Sequence, residues 1–193
     1  MQYSLETEAA FIADQMYNKG YKNVVLISYQ NEFSKAETDS FKAHFKGKIT
    51  NDIVFTTNTA DLNTELTKIK SGGYDAIFVV DISFYFSDGI NKLKNFGIKV
   101  PVFSPYAVEL PAVRTLVEGV YYSFPADITD GKGGVAGLSR QSADLLVRAV
   151  TSCGDKPSCV KDFIKKDGFD GNGTKERTLV LKQIKDGVPV VVK

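Results

Sequence analysis

The sequence has 193 residues, 43% hydrophobic and 24% charged, the ordinary balance of a globular domain large enough to bury a core. Its net charge is +1 with acids and bases interspersed, so neither a basic tract for nucleic acid nor an acidic tail is present. No apolar run approaches the ~20 residues that span a bilayer. The stretch Met1 to Glu6 lacks the charged and apolar regions of a signal peptide, so a secreted parent would carry its address elsewhere and Met1 would be an added start.

Helix and strand signals alternate from the first residues. Leu5, Ala9, Ile12, Ala13 and Met16 recur at helical spacing over 5–19, and Gly20 ends the run. Val24 to Ile27 is a continuous apolar stretch, as expected of a strand buried on both faces. Ser34 is the expected cap of a second helix, which runs to about Phe45 with Phe41 and Phe45 on one face. The sole histidine, His44, lies in this helix among lysines, is expected to face solvent and has no nucleophile to serve as a base. Ile53 to Phe55 predicts the second strand. Thr59 or Asp61 opens a helix that turns Leu62, Leu66 and Ile69 inward and stops at Gly72-Gly73.

The third strand is expected from Tyr74 to Val80, a helix from Asp88 to Phe96, and a fourth strand over Val100 to Phe103. A short helix near Glu109 to Val117 leads to a fifth strand, Gly119 to Phe124. Five β-α repeats predict a flavodoxin-like, doubly wound parallel sheet in three αβα layers with right-handed crossovers, residues 1–126. Residues 127–137, with Gly131, Gly133 and Gly134, have the composition of a connector. Residues 138–193 then complete the same domain. They hold a helix from Leu138 to Val150, a second from about Ser158 to Lys165, and two strands, Thr178 to Ile184 and Val188 to Val192, joined as a hairpin by Lys185-Asp186-Gly187.

Cys153 and Cys159 flank Gly154-Asp155-Lys156-Pro157-Ser158, a turn able to bring them within bridging distance. A disulfide and two reduced cysteines at helix ends are both compatible with the spacing, and the first favours an oxidising compartment. One histidine and two cysteines are too few soft ligands for a zinc centre. Asp170-x-Asn172-x-Thr174-x-Glu176 lacks the glycine and the bidentate acid of a calcium loop and is expected to be a tight turn. No cofactor is expected. Neither G-x-G-x-x-G nor G-x-x-x-x-G-K-[ST] occurs, nor does a G-x-S-x-G elbow, and the Ser28 to Ser34 loop lacks the groups that cradle a flavin phosphate. Asp81 stands where a receiver domain carries its phosphorylated aspartate, but the acidic pair and the lysine which that chemistry needs are replaced by Tyr29-Gln30 and Pro125-Ala126.

Several phrases carry a family resemblance. Tyr74-Asp75-Ala76-Ile77-Phe78-Val79, Glu118-Gly119-Val120-Tyr121, the cysteine-bracketed helix pair, Phe169-Asp170-Gly171-Asn172-Gly173 and Leu179-Val180-Leu181-Lys182 follow one another in an order that resembles the Leu/Ile/Val-binding branch of type I solute-binding proteins. These are the receptors of ABC importers, and Tyr3 to Phe124 looks like their second lobe. The resemblance implies a non-enzymatic module, periplasmic or extracellular in the parent protein, that holds a small polar or amphipathic organic solute between two lobes and works with an ABC permease. It also implies that material of the first lobe is absent before Tyr3 and between Ala126 and Ser142, so the chain is expected to be a trimmed second lobe with impaired affinity.

Ligands of open α/β sheets sit at the carboxyl ends of the strands, which here carry Phe33, Asp81, Phe84, Tyr85 and Tyr106. By resemblance Phe33 and Phe84 or Tyr85 stand at aromatic contacts. Tyr106 stands near the place where amino-acid binders put a carboxylate, and a neutral tyrosine supplies no countercharge to an ammonium group. The alternative to solute binding is an engineered or structural lobe with no retained ligand function, whose aromatic rim, Phe84 to Phe86, offers a surface for pairing two copies of the chain.

Overall fold

The computed structural model describes residues 4–56, 59–81, 86–109, 111–128, 134–170 and 174–192. Helix α1 (Leu5–Asn18) is capped by Ser4, whose hydroxyl accepts from the Thr7 amide at 3.0 Å. It leads into β1 (Asn23–Tyr29), α2 (Glu32–His44) and β2 (Lys48–Phe55). There follow α3 (Thr59–Ile69), β3 (Ala76–Val80), α4 (Phe86–Asn95) and β4 (Val102–Ser104). A 3₁₀ turn (Tyr106–Glu109), α5 (Pro111–Arg114) and β5 (Tyr121–Pro125) complete the expected repeats. A second 3₁₀ turn (Ala126–Ile128), α6 (Gly134–Cys153), α7 (Pro157–Lys166), β6 (Leu179–Lys185) and β7 (Val188–Val191) close the chain.

One sheet runs in the order β2-β1-β3-β4-β5-β6-β7. Its first five strands are parallel, while β6 and β7 are antiparallel to their neighbours, with Pro125 opposite Leu179 and Ile184 opposite Pro189. Alternation along the strands sorts the core into two layers. Val24, Leu26, Phe78 and Phe103 pack under α1 and α2 with Ile12, Met16 and Phe41. Val25, Ile27, Ile77, Val79 and Tyr122 pack on the other face with Leu62, Leu66, Ile69, Ile90 and Leu93. The fold is therefore the expected three-layer α/β sandwich, with the hairpin extending its sheet.

Four local expectations change. Asn31, not Ser34, caps α2, because the Asn31 side-chain oxygen accepts the Ser34 amide at 2.7 Å and the helix starts three residues earlier. Strand β2 begins at Lys48 rather than Ile53: it is an edge strand whose exposed Lys48, Asn51 and Asp52 hold their place through backbone pairing with β1, which a search for apolar runs does not detect. Helix α6 begins at Gly134, inside the glycine-rich stretch, and Gly137 sits so near Ile128 that a Cβ there would meet its methyl at 2.5 Å. His44 is half-buried, its Nδ1 lying 2.8 Å from the Ser40 carbonyl. The Asp170 carboxylate accepts from the amide and hydroxyl of Thr174 at 2.9 and 2.6 Å, as a turn requires.

Cys153 and Cys159 form a disulfide with Cα atoms 5.6 Å apart, tying the end of α6 to the first turn of α7. Closing so short a loop is worth about 2 kcal/mol in the chain-entropy treatment. Reduction, or Cys153→Ser with Cys159→Ser, should lower stability by about that much, measured as a shift in urea midpoint without change in the far-ultraviolet dichroism.

Candidate functional site

Because β1, β3, β4 and β5 are parallel, their carboxyl ends, at Tyr29, Val80, Ser104 and Pro125, share one edge of the sheet. The strand order reverses between β1 and β3, which places the topological switch point on that edge. The β1–α2 corner is pinned by two backbone bonds, Gln30 N–H to the Phe55 carbonyl at 2.9 Å and Asn31 N–H to that of Tyr29 at 2.8 Å. Phe33 follows in the first turn of α2, half-buried against the α1–α2 core layer. Asp81 ends β3 fully buried, bordering a small cavity with Ile27, Phe55, Leu66 and Leu93. Tyr106 opens the 3₁₀ turn after β4. Phe33, Asp81 and Tyr106 thus belong to segments at one edge, while Phe84 and Tyr85 lie outside the described residues.

The same edge carries an ionic tie absent from the sequence reading. Arg177, just before β6, donates through one guanidinium nitrogen to Asp127 at 2.5 Å and to Gln141 of α6 at 3.1 Å. Its side chain is only 5% exposed, and it borders a groove of about 630 Å³ with Asp127, Gln141, Asp144, Arg148 and Lys175. Antiparallel pairing of β6 with β5 brings Arg177 and Asp127 together, although they are 50 residues apart in sequence.

Two buried polar clusters flank the sheet. On the α1–α2 side, Glu8 and Glu37 are both fully buried, and Glu8 accepts from the Ser123 hydroxyl of β5. Among the described residues, both Glu37 oxygens and the Ser34 hydroxyl one turn earlier find no hydrogen-bond partner. Burial, reinforced by the facing Glu8 charge, pushes the Glu37 carboxyl up to about 9, so it holds its proton at neutral pH. On the other side, the Glu109 carboxylate accepts from the Tyr122 hydroxyl at 2.8 Å and from the Lys182 ammonium, which also lies 4.1 Å from the Phe124 ring centre. Burial raises the Tyr122 phenol, and the Glu109 charge raises it further. Sequence signals for these groups existed: Glu8 is four residues before Ile12, Glu37 is four before Phe41, and Lys182 alternates with Val180 and Ile184. Each charge stands in an apolar register.

Among the described residues, no group of three or more His, Cys, Asp or Glu side chains is arranged to hold a metal ion, and no helix is long and apolar enough to cross a membrane.

The fold is shared with solved substrate-binding proteins of ABC transporters. The branched-chain amino acid transporter substrate-binding protein of Streptococcus pneumoniae, solved with isoleucine, superposes at a TM-score of 0.80 with 18% identity, covering 100% of this chain and 66% of that one. A substrate-binding protein from Desulfitobacterium hafniense, solved with Leu, gives 0.79 at 19% identity over 98% and 65%. A solute-binding protein of R. palustris in complex with benzoate gives 0.79 at 15% over 99% and 63%. The chain therefore spans just under two thirds of the length of these structures. A scan against protein-family models found no match, and neither did a search of curated proteins.

Proposed function

We propose that this chain is one wall of a solute-binding cleft, part of an ABC-importer receptor that traps a small polar or amphipathic organic molecule when two lobes close over it. The reading is carried by one observation: the carboxyl-end segments of four parallel strands meet at an edge that holds the switch point, in a fold shared along its whole length with solute-binding receptors. Phe33, Asp81, Phe84, Tyr85 and Tyr106 are the proposed contacts. Aromatic side chains pack the apolar part of a solute, while tyrosine hydroxyls and loop amides orient its polar end. Neighbours solved with benzoate and with Leu make aromatic acids and branched-chain amino acids the first candidates. The cleft performs no chemistry on its solute. A periplasmic or extracellular setting agrees with the disulfide, and a permease would be the downstream partner. Residues 1–126 and 138–193 act as one domain in this reading, and affinity is low wherever the facing wall is absent.

The test is a thermal-shift screen of amino acids, aromatic acids and short organic acids, followed by calorimetry on any hit. A solute held at ten times its dissociation constant should raise Tm by about 3–6 °C in a chain this size, and Phe33→Ala with Tyr106→Ala should abolish the shift. A hit that both substitutions leave unchanged places the site elsewhere. A panel in which nothing moves Tm at millimolar concentration removes the reading for this chain.

A further inference from the structure

Between α1 and α2 the interior holds more acceptor oxygen than the described donors satisfy. Helix α1 runs into the amino end of β1 and α2 leaves its carboxyl end, so both helices begin toward the carboxyl edge of the sheet. Glu8 lies in the first turn of α1 and Glu37 in the second turn of α2, and both are 0% exposed. From β5 the Ser123 hydroxyl, also fully buried, donates to the Glu8 carboxylate. Ser34 stands three residues before Glu37 and therefore on the same side of α2. It too is 0% exposed, and among the described residues neither its hydroxyl nor either oxygen of Glu37 finds a hydrogen-bond partner. Orphaned oxygens are rare in folded interiors, because each has given up its hydration for nothing in return. Here they converge, from two residues one helical turn apart, on a second buried carboxyl.

From this convergence we propose that Glu8, Ser34, Glu37 and Ser123 form an internal site for one divalent cation, with calcium the ion that fits it. The donors choose the class. Every side chain offered is an oxygen ligand, with no imidazole or thiolate, and such a set selects a hard cation. Charge chooses the valence, because one dipositive ion cancels two carboxylates and leaves the cluster neutral within its apolar layer of Ile12, Leu26 and Phe41. The serine hydroxyls, not a third acid, complete the set. Two oxygens from each glutamate and one from each serine reach the lower end of the ~6–8 that calcium takes in irregular geometry. Magnesium demands a near-ideal octahedron and keeps several waters, which a fully buried donor set does not accommodate. In the metal-free chain Glu37 keeps its proton, and the cation takes that proton's place. Bound there, the ion ties the first turns of α1 and α2 to β5. Phe33 precedes Glu37 by one turn, so the ion also steadies part of the proposed cleft, although the inference stands without that reading.

Calorimetric titration of the full, chelator-treated chain with calcium chloride tests it, at about pH 8 so that the proton competes less than at neutrality. The expected result is one calcium per chain, with a dissociation constant of about 10⁻⁵ to 10⁻³ M, and a higher urea midpoint in calcium than in chelator. Glu37→Gln should weaken binding at least about thirtyfold and Ser34→Ala about fivefold, since the first removes a charge and the second one neutral donor oxygen. Asp39→Asn, which neutralises an exposed acid on the same helix, should leave binding unchanged. Magnesium should bind at least about tenfold more weakly than calcium. Both site replacements are close in size to the parent residues, and circular dichroism should report the native fold in each. A chain that takes up no calcium at about 10 mM overturns the inference and leaves the orphaned oxygens to internal water. So does binding that Glu37→Gln and Ser34→Ala both leave intact, which would put the ion on surface acids, or magnesium held as tightly as calcium.

Discussion

Replacing Lys182 by methionine should cost about 3–5 kcal/mol of unfolding free energy, read as a lower urea midpoint. The substitution keeps the length of the aliphatic stem and its packing over Phe124 but removes the ammonium. Glu109 is then left in the sheet–helix interface with the Tyr122 hydroxyl as its remaining donor among those described here. A buried carboxylate stripped of its cation either stays charged at a high desolvation cost or takes up a proton, and either path destabilises the fold. Replacing both partners, Lys182→Met with Glu109→Leu, should return most of the stability, because the buried pair must first repay its own desolvation. Recovery in the double variant separates a lost charge partner from lost packing. If Lys182→Met alone is neutral, the pair is not held as described.

Stability should also fall as pH rises. In the folded chain the Glu37 carboxyl keeps its proton up to about 9, whereas in the unfolded chain it releases that proton near 4.3. Between those values the folded state binds more protons than the unfolded one, so each added pH unit costs up to about 1.4 kcal/mol until the folded group itself ionises. Glu8 faces Glu37 and is hydrogen-bonded to Ser123, so ionisation would set two carboxylates against each other inside the α1–α2 layer. Urea midpoints taken from about pH 5 to about pH 9 should decline, and Glu37→Gln should flatten the decline because it stays neutral throughout. Replacing Glu37 by methionine should raise stability above neutral pH by about 1–3 kcal/mol, since it also removes two unpaired buried oxygens. A parent whose midpoint is level across this range would show that the two carboxyls are not confined as described.

The layered fold could be read from the sequence because its strongest signals are local and repeated. Unbroken apolar strands such as Val24 to Ile27 and the Leu62-Leu66-Ile69 spacing needed no knowledge of their neighbours, and all these residues are buried. The edge strand β2 was half missed because its amino-terminal part is held by hydrogen bonds to β1, which leave no trace in side-chain type. The cap of α2 was displaced because Asn31 and Ser34 are both good caps, and only the backbone path chooses between them. Polar groups of the interior were harder. A glutamate at the position of Glu8 looks like a surface residue until β5, more than a hundred residues later, brings Ser123 beneath it. The same holds for Arg177 with Asp127 and for Lys182 with Glu109, whose pairing depends on the hairpin joining the sheet in reverse. At the candidate cleft, sequence order correctly brought Phe33, Asp81 and Tyr106 to one edge, but the complete burial of Asp81 depends on α3 and α4 packing around it, which no spacing rule contains.

The outermost strands have a consequence for how copies of the chain meet. Strand β7 is short and bears Pro189, which has no amide hydrogen to offer, and β2 at the opposite margin displays Lys48 and Asp52. Neither border is a ready template for an eighth ribbon from a neighbour, so runaway stacking into fibres is disfavoured even though Val188, Val190 and Val191 are bare. Contact between molecules is thereby steered away from backbone ladders and toward side chains on helices, where shape and charge sign can reject the wrong partner.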